Sequence, residues 1–554
     1  MKKKLFPIVG MVIVALAAWQ LWPDVKTLPK ESVTTGDVQT TSGPVRGFTQ
    51  NGLDVFLGIP YAEPPVGSLR FKSPVAHEPW QKTFNAYEFG AFCPQAYDPV
   101  VIDDPNEELN NEDCLYLNIW KPSDSQEKRA VMVYIHGGGF VGGSSKEDLY
   151  NGSVIAKEGD VIVVTINYRV GILGFFDFSA IGGEEYAGSA DAGIEDQILA
   201  LRWVKDNIAA FGGDPQNITV FGESAGGASL LSLLGTEHPQ DLFKRAIVMS
   251  GSPLHTAENS RAIANLIKDQ TGITSPFIWT KAPTRALMYI QDQVLSAVGS
   301  PLSDLIFAPT YGSDFVVKQS PLEAIASGNT AGIELMIGNM ADELSYWSFY
   351  DTPDSHICEQ TLKENLFTMI DPTIEPKLKE MYDLYAQNPQ RVWRSEGDII
   401  LAMGDDYAFR VDALNVASKQ SEVANTYYYR FNYPINLPEQ PCQDRRSPHG
   451  AELPFVFGSV NTQAGFDFIG EPRDEQDNAA RNAVMHQSIL AWTNFAKTGD
   501  PNGGTIPEWT VFNPDTQPTM VFEEEMHIEN APFNEEYKAM SEFMKSFNVF
   551  DALK

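Results

Sequence analysis

Apolar residues along the chain follow two alternating rhythms. "AVMVYIHG" (130–137) and "DVIVVTINYR" (160–169) are nearly unbroken apolar runs, as expected of strands buried on both faces of a sheet. "NITVFG" (217–222), "RAIVMSGS" (245–252) and "ELMIGN" (334–339) repeat the pattern. Between them, "AGIEDQILALRWVKDNIAAFG" (192–212) sets Ile194, Ile198, Leu201 and Val204 along one helical face. "ASLLSLLG" (228–235) predicts a second helix directly after the strand 217–222. Strands alternating with helices define an α/β fold, a large and mostly parallel central sheet flanked by helices. Residues 24–40 are polar and read as a linker. With no internal repeat or low-complexity block, residues 41–554 are expected to form a single domain with long loop insertions.

Composition narrows the partners more than the fold. Hydrophobic residues make up 43% of the 554, enough for a sizeable core. A formal net charge of −33 opposes binding to nucleic acid or to anionic membranes, and reads as an acidic, solvated surface. Residues 1–23 open on Lys2, Lys3 and Lys4 and continue as an apolar run. That is the layout of a secretory signal peptide, with Ala15-Leu16-Ala17 as its cleavage site. From Leu5 to Trp22 only Gln20 is clearly polar, so the run is also just long enough for an uncleaved membrane anchor. Either way the folded part is expected outside the cytoplasm, exported to the periplasm or medium or tethered to the membrane. In that setting Cys93, Cys114, Cys358 and Cys442 read as disulfide partners, for which the sequence permits three pairings. A metal site is a poor alternative, because there is no C-x-x-C pair and the eight histidines are scattered.

Candidate chemistry gathers at "GESAG" (222–226), a G-x-S-x-G sequence between a predicted strand and a predicted helix. A sharp turn there holds Ser224 in strained backbone geometry and presents its Oγ at the sheet edge. The flanking glycines are needed because side chains would clash with the neighbouring backbone. The helix N-terminus beneath favours developing negative charge. Serine needs a base, and the base needs an orienting acid. Glu343 follows the strand "ELMIGN", and His449 lies in "SPHGAELPFVFG", where a loop is expected; the order Ser, Glu, His suits this kind of turn. A second glycine cluster, "VMVYIHGGGFVGG" (132–144), has Gly137, Gly139 and Gly142 in the G-x-G-x-x-G spacing of a dinucleotide site. That site requires a helix opening inside the glycine run and an acidic residue at the end of the next strand. Here "GGSSKEDLYNGS" is polar loop and Asp160 begins its strand. The match reads as accidental, and no nucleotide cofactor is expected.

Further ordered stretches carry a family resemblance: "FLGIPYAEPPVGSLRF" (56–71), "EDCLYLNIW" (112–120), "HGGGF" (136–140), "INYRVGILGF" (166–175), "FGGDPQNITVFGESAGG" (211–227), "DE" (342–343), "HGAELPFVFG" (449–458) and "WTNFAKTGDPN" (492–502). Together they resemble the type-B carboxylesterases, in the carboxylesterase–cholinesterase family of the α/β-hydrolase fold. The resemblance implies Ser224 as nucleophile, His449 as general base and acid, and Glu343 as the acid orienting the imidazole. It implies an oxyanion hole from the N–H groups of Gly138, Gly139 and Ala225. It also implies a Cys93–Cys114 disulfide, leaving Cys358 and Cys442 as a second pair by elimination. The implied activity is hydrolysis of small-molecule carboxylic esters through an acyl-enzyme, with no cofactor and no metal. The same triad would serve amide, carbamate or thioester bonds. A non-catalytic adhesion homologue is the rival from another class, disfavoured because Ser224, Glu343 and His449 are all present. Choline-binding members resemble one another in carrying a tryptophan in the first disulfide loop. Here "PQAYDPVVIDDPNEELNNED" (94–113) has none, so neutral aryl or alkyl esters are the expected substrates. Glu223, beside the nucleophile, matches a common family residue.

Overall fold

The computed structural model describes residues 28–95, 110–124, 128–251, 255–298, 306–346, 375–391, 393, 396–436 and 446–546. The N-terminal apolar run, Cys358 and Cys442 lie outside the described residues. A 12-stranded sheet runs edge to edge through Val33–Thr34, Phe48–Gln50, Leu53–Pro60, Tyr116–Pro122, Ile162–Ile166, Arg129–Ile135, Gly213–Glu223, Arg245–Met249, Glu334–Met340, Thr426–Phe431, Pro518–Phe522 and His527–Asn530. From Ile162–Ile166 to Pro518–Phe522 all neighbours are parallel, and antiparallel strands flank that block on both sides.

The unbroken apolar runs follow from burial on both sides. Val131, Val133 and Ile135 join Val164, Val220, Val248 and Ile337 in one core cluster. The alternating positions Met132 and Tyr134 join Val163, Phe221, Ile247 and Met336 in the other. Helix Ala192–Asn207 contributes Ile194, Ile198, Leu201 and Val204 to the first cluster, while Glu475–Thr498 contributes Val484, Ile489, Trp492 and Phe495 to the second.

Two boundaries differ from the sequence reading. The helix expected over 192–212 stops at Asn207, continues as a 3-10 turn over Ile208–Phe211, and ends on Gly212 at φ 88°. That left-handed residue turns the chain directly into the strand Gly213–Glu223. Within the stretch 24–40 read as a linker, Val33–Thr34 pairs with Phe48–Thr49 and Val38–Thr40 pairs with Gly43–Val45. Val38–Thr40 and Gly43–Arg46 form a short hairpin, and Val33–Thr34 pairs with Phe48–Thr49 across it, so the stretch read as a linker contains paired strand at those residues. Among the described residues, no helix is long and apolar enough to cross a membrane.

Candidate active site

Three parallel strands bring the site together. Gly213–Glu223 ends at Ser224, which adopts φ 57° and ψ −121° before the helix Ala225–Leu234 begins. Such geometry is costly for a residue with a side chain and persists only where the surroundings impose it. Here they do: the Ser224 N–H donates to Met249 O at 2.9 Å, and the Ala228 N–H donates to Ser224 O at 2.8 Å. A Cβ on Gly226 would stand 2.0 Å from Ile135 O, and one on Gly222 would stand 2.7 Å from the Gly226 backbone. Both glycines of "GESAG" are therefore required by the adjacent strand and by the turn itself.

Glu343 lies just past the strand Glu334–Met340 and is fully buried. Its Oε1 accepts from the Ser250 hydroxyl and from the Met340 N–H, each at 2.7 Å. Its Oε2 lies 2.6 Å from His449 Nδ1, and its carbonyl accepts from the His449 N–H at 3.2 Å. The loop carrying His449 is zipped to the Glu343 loop: Asp342 N–H donates to Ser447 O, and Ser447 N–H donates to Asp342 Oδ2. On the far side of the ring, His449 Nε2 lies 3.2 Å from Oε1 of Glu223, the residue before Ser224. The imidazole thus spans the distance from Glu343 to the elbow. Phe409 and Tyr346 pack against it, at 5.0 and 6.0 Å between ring centres.

Electrostatics follow from this crowding. Burial alone would depress His449, but the charges of Glu223 and Glu343 and the Glu343 hydrogen bond hold the imidazole up at about 9. Burial pushes Glu223 up to about 7, and pushes Glu452 well above the usual carboxylate range.

The glycine-rich stretch 137–143 arches over the elbow. A Cβ on Gly137 would lie 2.9 Å from Glu223 Oε2 and 3.2 Å from Ser224 Cβ. Gly138 and Gly139 have φ of 99° and 59°. The N–H groups of Val141 and Gly142 both donate to Gly138 O at 3.0 Å, closing a turn. The first helical element beyond it is Asp148–Tyr150. His136, at the root of the turn, stacks on Tyr168 with ring centres 4.4 Å apart, and the Tyr168 hydroxyl donates to His136 O at 2.9 Å. Burial holds His136 down at about 4, so its ring is neutral.

Cys93 and Cys114 are disulfide-bonded, with Cα atoms 5.0 Å apart. Among the described residues, no group of three or more His, Cys, Asp or Glu side chains is arranged to hold a metal ion. Sequence reasoning missed Ser250 and Glu452. Ser250 sits at φ 49° just past its strand, inside the conspicuous "MSGS", but serine alone does not betray a carboxylate partner.

An open, mostly parallel sheet with a strained serine turn at a strand end, and a histidine set between a buried acid and the residue before that serine, defines an α/β-hydrolase. The carboxylesterase family pattern matches residues 34–540. The para-nitrobenzyl esterase of Bacillus subtilis (strain 168) is 36% identical over 504 residues, covering 90% of this chain and 97% of the relative. Carboxylesterase 1D of Rattus norvegicus is 32% identical over 553 residues, covering 92% of each chain. A solved thermophilic PNB esterase superposes with a TM-score of 0.78 at 35% identity, over 91% of this chain and 99% of the other. The chain belongs to the carboxylesterase family and is a carboxylic ester hydrolase.

Proposed function

We propose that Ser224, His449 and Glu343 carry out this hydrolysis in two acyl-transfer steps. Ser224 Oγ attacks the ester carbonyl carbon while His449 takes its proton. The resulting oxyanion is held by the N–H groups of Gly138, Gly139 and Ala225. Collapse expels the alcohol, protonated by His449. A water deprotonated by the same imidazole then releases the acid and restores the serine. The observation that carries this reading is the His449 ring held between Glu343 at 2.6 Å and the elbow carboxylate Glu223 at 3.2 Å. Glu343 keeps the proton on Nδ1, which leaves Nε2 to act as the base. Organophosphate labelling followed by peptide mapping tests it: the adduct is expected on Ser224, and an adduct on a different serine overturns the assignment.

The substrates we infer are small neutral esters with aryl or alkyl alcohols. The first disulfide loop, residues 94–113, contains no tryptophan to face a quaternary ammonium. The match to a para-nitrobenzyl esterase points the same way. Turnover of p-nitrophenyl esters of graded acyl length tests this, with a choline ester as the comparison expected to be poor. Export is inferred from the basic-then-apolar N-terminus together with the Cys93–Cys114 bridge, since disulfides persist in oxidising compartments. The N-terminal residue of the mature protein distinguishes cleavage after Ala17 from retention as an anchor.

A further inference from the structure

We propose that Gln95 is a positioning residue that holds the glycine-rich loop in its catalytic shape by tying it to the Cys93–Cys114 bridge. The proposal rests on the reading of Gly138 and Gly139 as oxyanion donors.

Gln95 is 3% exposed, and both polar atoms of its amide are engaged. Nε2 donates to Gly143 O at 3.0 Å and to Cys93 O at 2.9 Å. Oε1 accepts from the Gly143 N–H at 2.7 Å. One side chain therefore exchanges two hydrogen bonds with a single backbone residue, much as a paired residue does in an antiparallel ladder. Gly143 is the closing residue of the loop. Its φ is 99°, and a Cβ there would stand 2.4 Å from His136 Nδ1 and 2.5 Å from Gly137 O. It is thus pressed against the first residues of the arch that it ends. Fixing Gly143 fixes how the turn closed on Gly138 O sits over Ser224.

Gln95 is itself well anchored. It lies two residues beyond Cys93, whose bridge runs to Cys114, two residues before the sheet strand Tyr116–Pro122. The Asn110 side chain donates to Gln95 O at 2.9 Å. A second buried amide works in parallel on the other half-cystine. Asn167 Nδ2 donates to Cys114 O at 3.1 Å, and its Oδ1 accepts from the Ser145 N–H at 2.8 Å. The disulfide thus acts on residues 143–145 through two amides. Displacing preorganised donors by a fraction of an ångström weakens them in the transition state far more than in the ground state.

The test compares Gln95→Leu and Gln95→Glu with the parent enzyme, using kcat per active site titrated with an organophosphate. Gln95→Leu is expected to lower kcat roughly 10- to 100-fold with little change in KM. Gln95→Glu keeps the acceptor for the Gly143 N–H. When ionised, it turns a bare oxygen toward the Cys93 and Gly143 carbonyls; when protonated, it regains a donor. Its kcat per titrated site relative to the parent at the same pH is therefore expected to recover as the pH is lowered, and counting only titrated sites removes any loss of folded protein caused by ionisation of the buried carboxylate. Replacing both Cys93 and Cys114 by serine is expected to lower kcat in the same sense, and to add little on top of Gln95→Leu. If Gln95→Leu is too unstable to purify, the pH-dependent ratio of Gln95→Glu decides alone. A ratio flat with pH, or a Gln95→Leu kcat within about twofold of the parent, overturns the proposal. Failure of the underlying oxyanion reading appears separately, as an unimpaired Gly138→Ala variant.

Discussion

Glu343 holds His449 at two points. Its carboxylate meets Nδ1 at 2.6 Å, and its carbonyl accepts the histidine's own N–H at 3.2 Å. Side chain and backbone act together, so the ring's tautomer and the loop that carries it are set by one residue. Glu343→Gln removes the charge while keeping a similar shape. The amide N–H₂ of the variant faces Nδ1 and favours the proton on Nε2, the wrong nitrogen for a base. We expect kcat on a p-nitrophenyl ester to fall about 10³–10⁴-fold, with KM little changed and the fold retained. A loss of less than about tenfold would show that the acid is dispensable.

Glu223, with Glu343, holds the His449 imidazole above its ordinary range, and in the proposed mechanism this fixes the pH at which the base becomes available. The imidazolium is stabilised by the nearby carboxylates and is held at about 9, above the ordinary histidine value of 6.5. Only the neutral ring acts as a base, so kcat/KM should rise with pH through an apparent pKa above that ordinary value and then level off. Glu223→Gln removes one of the two main negative charges acting on the ring. The neutral ring then persists to lower pH, and the rising limb should move toward acid. The pH profiles of parent and variant measure this directly, and a limb that stays put or moves toward alkali contradicts it.

The oxyanion role proposed for Gly138 draws on both its N–H and its lack of a side chain. A Cβ there would stand 2.5 Å from Gly142 O, and the residue's φ is 99°. Gly138→Ala should therefore open the turn and displace a donor. The expected loss in kcat is about 10²–10³-fold, or roughly 3–4 kcal/mol of barrier. Single-turnover acylation and circular dichroism together check that the defect is chemical rather than a loss of fold.

The central sheet was legible because burial on both faces leaves no polar alternation, and "AVMVYIHG" and "ELMIGN" carry that signature without help from distant residues. The elbow was legible because Ile135 O and the turn backbone leave no room for side chains at 222 and 226, which makes the glycines informative. The two-residue strand Val33–Thr34 was not, since it is too short to show a period and exists only through its antiparallel partner Phe48–Thr49. Ser250 and Gln95 were hidden for a different reason. Serine and glutamine are ordinary residues, and each acts through a partner far along the chain, 93 positions away for Ser250 and Glu343 and 48 for Gln95 and Gly143. The raised pKa of His449 was hidden for the same reason, because only the fold brings Glu223 and Glu343 to opposite sides of its ring.

The most direct test of the account is the turnover of Ser224→Ala on an activated ester. The variant removes one oxygen from a residue whose backbone conformation is imposed by its neighbours, so the protein should remain folded and bind ester with similar affinity. The account predicts that kcat falls roughly 10⁴–10⁶-fold, with the residual rate owed to the oxyanion donors and to binding alone. A folded Ser224→Ala protein that kept even about a tenth of the parent turnover would contradict it.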